Sequence, residues 1–282
     1  MFPARFAPVL FGLILSGVMS LTGHPGRPPL RITMSQSEAW ASLYGAMGAL
    51  TAYHYRPVTG QGQMVDVSAQ AACIIQCAHG PAFWDYNREI PTRHGEFMSG
   101  RTITGAKFRT IWRCRDGYLT FIIYGGPAGR KTNRALTEWM DTRGMAPESM
   151  KQKDWDGFDV ATITQEEVDV MEDSIGKFFC NITKGEFLKE VSQRGMLGYP
   201  ISTAADILGD PQLEERNFWQ SIAQPGIDLP LQFPGGFAKF SGMECTVRRG
   251  APTLGENNVE ILSGELGFSH AQLEQMRAAR II

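Results

Sequence analysis

Glu38 is the residue whose type and position could do chemistry. It follows Ser35-Gln36-Ser37 and opens a run in which Ala39, Trp40, Leu43, Tyr44, Met47 and Leu50 recur at helical spacing. Its carboxylate therefore falls in the first turn of a helix, where unsatisfied N–H groups and the macrodipole favour the ionised form. An ionised carboxylate placed this way suits nucleophilic catalysis through a covalent intermediate. The same four residues also spell an S-x-x-E capping box, in which Ser35 and Glu38 satisfy each other's backbone donors. Spacing alone favours the cap.

Other candidate groups are weaker. The stretch from Thr92 to Gly105, with Ser99, Gly100, Arg101 and Thr102 at its centre, reads as a loop or interdomain linker. Its glycines allow close backbone approach and movement. Gly125-Gly126-Pro127-Ala128-Gly129 is richer in glycine but sits between a strand pattern and a helix pattern, so it shapes that junction. A GxGxxG pattern is absent, and a nicotinamide cofactor is not suggested. The five cysteines are scattered. Cys73 and Cys77 could share a helix face, but no second pair supports a metal site, and reduced thiols in a cytoplasmic protein are the better reading. Arg113, Arg115, Arg130, Lys131 and Arg134 cluster locally, where a solvated face is favoured over a phosphate-binding site.

Composition fits a soluble enzyme: 282 residues, 43% hydrophobic and 20% charged, enough for a sizeable core and one or two domains. The net charge of -2 gives no bulk electrostatic case for nucleic acid or an anionic membrane. The apolar run Ala7–Leu15 mimics a secretory signal peptide but is too short to span a membrane.

The elements follow from periodicity and punctuation. After the first long helix, Gly60-Gln61-Gly62 makes a turn, Met64–Val67 reads as a short buried strand, and Ser68 caps an apolar helix over 69–78. That is a helix–turn–strand–helix unit of an α/β sheet. Residues 107–113 and 118–124 read as a hairpin around Arg115-Asp116-Gly117. Helices are expected over 130–142, 165–180 and 184–194, the last closed by Gly195. Beyond Pro200, short helices over 204–208 and from Pro211 precede a strand pair within 231–240, and Ser269 caps a final helix.

The wording of these segments says more. SGVMSLTG (16–23), Pro28-Pro29 with Arg31, the carboxylate at Glu38, TGQGQMVDVS (59–68) and DGYLTFII (116–123) occur in order. They are followed by GYPISTAADILGDPQL (198–213), RRGAPTLGENNVEIL (248–262) and a terminal LGFSHAQLEQMRAARII. Together they resemble the family III CoA-transferases, whose relatives include formyl-CoA and carnitine CoA-transferases and the 2-methylacyl-CoA racemases. Members carry a further segment ahead of SGVMSLTG, so the resemblance implies that this sequence lacks the family's N-terminal third.

The resemblance carries definite expectations. The fold class is α/β, with a partial Rossmann-like large domain over 1–95 and 200–282 and an inserted smaller α+β domain over 96–199. Two subunits interlock as a dimer, or a second chain supplies the missing N-terminal part in a heterodimer. The apolar N-terminus becomes an internal helix rather than a signal peptide. Aligned without gaps from TGQGQ, Glu38 takes the place of the family's catalytic aspartate, one methylene longer. The loop at Ser99, Gly100 and Arg101 corresponds to a mobile glycine-rich loop that covers the bound intermediate. The substrates are an acyl-CoA and a carboxylic acid, with coenzyme A as a substrate thioester and no tightly bound cofactor or metal. A racemase would need a histidine at the position of Pro8, which cannot exchange a proton, and His24, His54, His79 and His94 lie elsewhere. A racemase and a non-catalytic partner subunit remain as alternatives to the transferase.

Overall fold

A computed structural model describes residues 8–76, 79–99 and 105–282. The chain forms two compact units, the first ending at Ile201 and the second running Ser202–Ile282. The first unit begins with five helices: α1 (Pro8–Leu15), α2 (Val18–Leu21), α3 (Gln36–Thr59), α4 (Ala69–Gln76) and α5 (His79–Asn87). Helices α1, α3 and α4 pack on one another, burying Leu13, Ser37, Ala72 and Cys73. Most of α3 has no such cover. Leu43, Met47, Leu50 and Tyr53 recur every three or four residues along it, and each is more than half exposed.

Helix α3 ends as expected, with Gly60 in the left-handed region and its N–H returned to Arg56 O at 2.8 Å. The strand expected at Met64–Val67 does not form. Residues 61–68 form no regular element and pair with no strand, and Met64 is almost fully exposed. The segment instead folds back on α3 at Gly48, where an added Cβ would come within 2.6 Å of Val65 Cγ1. An apolar run becomes a strand only when a partner edge exists, and here the helix takes that place.

The rest of the first unit is a lobe with its own core. Strands β1 (Phe97–Ser99) and β2 (Lys107–Arg109) pair antiparallel, as do β3 (Ile111–Cys114) and β4 (Gly117–Thr120). Helices α6 (Gly126–Thr142), α7 (Glu148–Lys151), α8 (Gln165–Phe179) and α9 (Lys184–Arg194) follow, and β5 (Tyr199–Pro200) returns to the free side of β4. The hairpin turn lies at Arg115-Asp116, but the stretch 107–113 is two strands rather than one. At Thr110 the chain changes partner: its N–H and hydroxyl both donate to Glu96 O, while its carbonyl accepts from Phe121 N. The core joins Trp112 and Phe121 from the hairpin to Trp139 of α6, Phe178 and Phe179 of α8 and Phe187 of α9. Edge-to-face ring pairs run through it, Trp139–Phe178 at 4.8 Å and Trp112–Phe179 at 5.6 Å. The Trp112 indole N–H is satisfied by Phe121 O at 2.7 Å.

The second unit holds α10 (Ala204–Leu208), α11 (Pro211–Glu215), β6 (Trp219–Ile222), β7 (Leu231–Pro234), a π-helix (Val259–Glu265) and α12 (His270–Ala278). The expected pair within 231–240 is corrected: β7 stops at Pro234 and pairs antiparallel with β6. All strand pairs among the described residues are antiparallel. Gln224 ties the following segment to β6, accepting from Ala251 N and donating to Ala251 O. No helix among the described residues is long and apolar enough to cross a membrane.

Several helix starts share one device, and α3 carries its residue types without using it. Thr164, Thr183, Thr203 and Ser269 each form a reciprocal capping box with the residue three positions on. Ser35 precedes α3 with the matching residue types but has ψ 69° and makes no side-chain cap bond. Thr164→Ala should therefore destabilise the chain by about 1 kcal/mol, and Ser35→Ala by less than about 0.5 kcal/mol. Paired denaturant titrations measure the contrast, and equal losses would show that a cap forms at Ser35 in solution.

Helix α8 also carries a buried acid. Glu172 accepts from Arg109 N at 2.6 Å, and burial pushes its carboxyl above the ordinary range against the pull of that N–H and the Arg109 charge. The folded state then holds the proton more tightly than the unfolded chain, so this group's contribution to stability falls as pH rises through its folded pKa. Glu172→Gln keeps an acceptor for Arg109 N–H and removes the buried charge. It should raise the unfolding midpoint at neutral pH, with the gain disappearing in acid; a midpoint lowered at every pH would contradict this.

Candidate active site

Glu38 sits in the first turn of α3, and close packing fixes where that turn lies. Ser37 beside it is fully buried, and an added Cβ on Gly12 of α1 would fall 2.8 Å from Ser37 Cβ. Only glycine lets α1 lie this close to the start of α3. Cys73 of α4 closes the same small core, hydrogen-bonded to Ser16, and burial raises its thiol pKa. A thiol so placed is inert packing rather than a nucleophile.

The segment leading into α3 is held by Arg93. Its guanidinium donates to three backbone carbonyls: Ser20 O at 3.1 Å, Arg27 O at 3.1 Å and His24 O at 3.4 Å. Gly95 N adds a bond to Gly23 O at 3.0 Å, and Leu30 N closes the loop on Thr22 O at 3.0 Å. One planar fork with its donors on a single turn is a rigid staple. Sequence reasoning missed Arg93, because a lone arginine in a loop has no spacing signal; only the fold brings the carbonyls to it.

Glu38 itself is exposed and forms no hydrogen bond or ion pair with the described residues. Its carboxylate therefore has no partner among the described residues and lies in the first turn of a helix, where the macrodipole favours an anion. The capping role that spacing favoured is not taken up.

The other expected site residues lie elsewhere. Ser99 ends β1 opposite Lys107, in the pair that packs against α8, so the structure leaves it and Glu38 on separate elements. Gly100 and Arg101 lie outside the described residues, as does Cys77. His94 is partly buried, and burial together with Lys107 lowers its pKa. Among the described residues no group of three or more His, Cys, Asp or Glu side chains could hold a metal ion.

Residues 10–258 match the model of CoA-transferase family III. The chain is 28% identical over 93% of its length to the succinyl-CoA:(R)-benzylsuccinate CoA-transferase subunit BbsE of Thauera aromatica. It is 26% identical over 96% of its length to the succinyl-CoA–D-citramalate CoA-transferase of Chloroflexus aurantiacus. It covers 62% and 63% of those two proteins. Among solved structures, a CaiB/BaiF family protein of Brucella suis superposes with a TM-score of 0.66 at 21% identity, over 92% of this chain and 63% of that one. A Mycobacterium tuberculosis protein superposes with a TM-score of 0.59 at 15% identity, over 92% of this chain and 64% of that one. These structures share the fold, and the family model spans most of the sequence: the chain belongs to CoA-transferase family III.

Proposed function

We propose that the chain works in a CoA-transferase, moving CoA between an acyl-CoA donor and a carboxylic acid acceptor, with Glu38 as the acyl-accepting carboxylate. The observation that carries this is the uncommitted state of Glu38 at a helix start whose capping box is left unformed, while four other helices use theirs. The Glu38 carboxylate attacks the thioester carbonyl and expels the CoA thiolate, giving a mixed anhydride. The thiolate then attacks the glutamyl carbonyl, which releases the donor acid and leaves a glutamyl-CoA thioester. The acceptor carboxylate attacks that carbonyl in turn and frees the thiolate. Thiolate attack on the acceptor's acyl carbon yields the new acyl-CoA and restores Glu38. Each step conserves thioester energy without water.

Substrates and assembly belong to the same proposal. Relatives of this chain are named for succinyl-CoA or formyl-CoA donors and for acids such as D-citramalate, mesaconate and oxalate. The long exposed apolar stripe of α3 suits a covered surface, in a homodimer or against a chain supplying an N-terminal part, and one relative is named as a subunit. In that assembly residues 1–95 and 200–282 form a Rossmann-like large domain, 96–199 the smaller domain, and the loop at Ser99, Gly100 and Arg101 contacts CoA. The setting proposed is the cytoplasm.

Incubation with an acyl-CoA should leave CoA attached at Glu38, and hydroxylamine should trap it as a hydroxamate. Glu38→Gln should abolish trapping and lower exchange by on the order of a thousand-fold or more, with unfolding unchanged because the side chain has no partner among the described residues. Glu38→Asp reports the fit: retained exchange means the pocket keeps the shorter family carboxylate, and a loss of about a hundred-fold means it is matched to glutamate. Full exchange by Glu38→Gln would leave Glu38 without a chemical role.

A further inference from the structure

The approach to Glu38 is held by a side chain from a distant part of the first unit. Residues 24–31, on the way into α3, are all exposed, so no core fixes them. Hydrogen bonds do. The Arg93 guanidinium donates to the carbonyls of Ser20, His24 and Arg27, which gathers three points of the approach around one planar group. Beside it Gly95 N donates to Gly23 O at 3.0 Å. The two backbones meet closely there, since a Cβ added at Gly95 would lie 3.5 Å from His24 Cα.

Arg93 is itself anchored from the other side. Three residues on, Glu96 O accepts from both the N–H and the hydroxyl of Thr110, and the Glu96 carboxylate pairs with Arg109 at 2.9 Å. Thr110 stands between β2 and β3, so this tie leads into the sheet and aromatic core of the lobe. Leu30 N returns to Thr22 O, and the short run 31–36 then joins the stapled loop to Ser37, which is packed against Gly12. Ser35 supplies no side-chain cap, so the first turn of α3 is not ordered locally. Its order comes from the two ends of that run.

We infer that Arg93 is a positioning residue for Glu38: by stapling residues 20–27 to the lobe, it sets where the first turn of α3 presents its carboxylate. The placement rests on these contacts alone; its use in CoA transfer rests on the transferase reading above. A nucleophile misplaced by about 1 Å loses on the order of a hundred-fold in rate. Arg93 therefore acts on the chemistry through the backbone only.

Amide hydrogen exchange and trapping kinetics on the full chain test the two parts separately. In Arg93→Met, which keeps the stem and removes the fork, backbone amides within 22–39 should exchange at least about tenfold faster, while those of α8 keep parent rates. Arg93→Lys should fall between, because a point charge meets fewer carbonyls than a fork. Arg88→Met removes a nearby cation whose partner is Asp85 and should change nothing. With an acyl-CoA, Arg93→Met should lower kcat for formation of the hydroxylamine-trappable adduct by about a hundred-fold, with KM within about threefold of the parent. Added methylguanidinium should restore part of the rate to Arg93→Ala. A thermal melt of each variant shows whether it is folded. Unchanged amide exchange within 22–39 in Arg93→Met would overturn the inference, and so would a raised KM with kcat unchanged. Faster amide exchange there, together with full CoA transfer by Glu38→Gln, removes the Glu38 chemistry and leaves the staple standing. Trapping lost in Glu38→Gln but unchanged in Arg93→Met does the reverse.

Discussion

The lobe spanning residues 106–196 depends on α8 serving two kinds of partner at once. One side of the helix sends Val168, Met171, Ile175, Phe178 and Phe179 into the aromatic core. Two polar residues a further two turns apart finish a strand: Gln165 accepts from Lys107 N and donates to Lys107 O, and Glu172 accepts from Arg109 N. Strand β2 thus has β1 on one side and helix side chains on the other. Its backbone groups face no unsatisfied burial. The core positions the helix, and the helix positions the strand that leads into the β3–β4 hairpin.

The start of α3 is constrained differently, by close approach and a single staple rather than by a large core. Gly12 lets α1 reach Ser37, and Arg93 locks the loop before the helix. Neither interaction uses Glu38. The position of its carboxylate is therefore set by neighbours, while its charge has no partner among the described residues.

What could be read in the sequence was mostly local. The bounds of α9 and α10, and those of α8 to within a residue, followed from periodicity and, for α9, from Gly195 at its end, because helix periodicity and end signals act within a few residues. Non-local choices were hidden. Met64–Val67 has strand composition but no partner, and Thr110 splits an apparently continuous strand because Glu96 O competes for it. Arg130 was read as part of a solvated basic face; its link to Phe158 O across 28 residues is visible only in the fold. At Glu38 local logic pointed to a cap, and the backbone angles of Ser35 decline it.

The placement of the indoles makes the chain its own optical gauge. Trp112, Trp139 and Trp155 are nearly fully buried, and all three sit in the same lobe, whereas Trp84 is half exposed in the helical segment before it. An apolar surrounding keeps indole emission short in wavelength, so most of the blue component of the intrinsic fluorescence originates in that lobe, with Trp40 and Trp219 half-buried outside it. Loosening of the α3 region, which holds few buried aromatics, would pass nearly unseen by this signal. Emission and a secondary-structure probe would consequently report different parts of the same chain, and their agreement or divergence measures whether its regions unfold together.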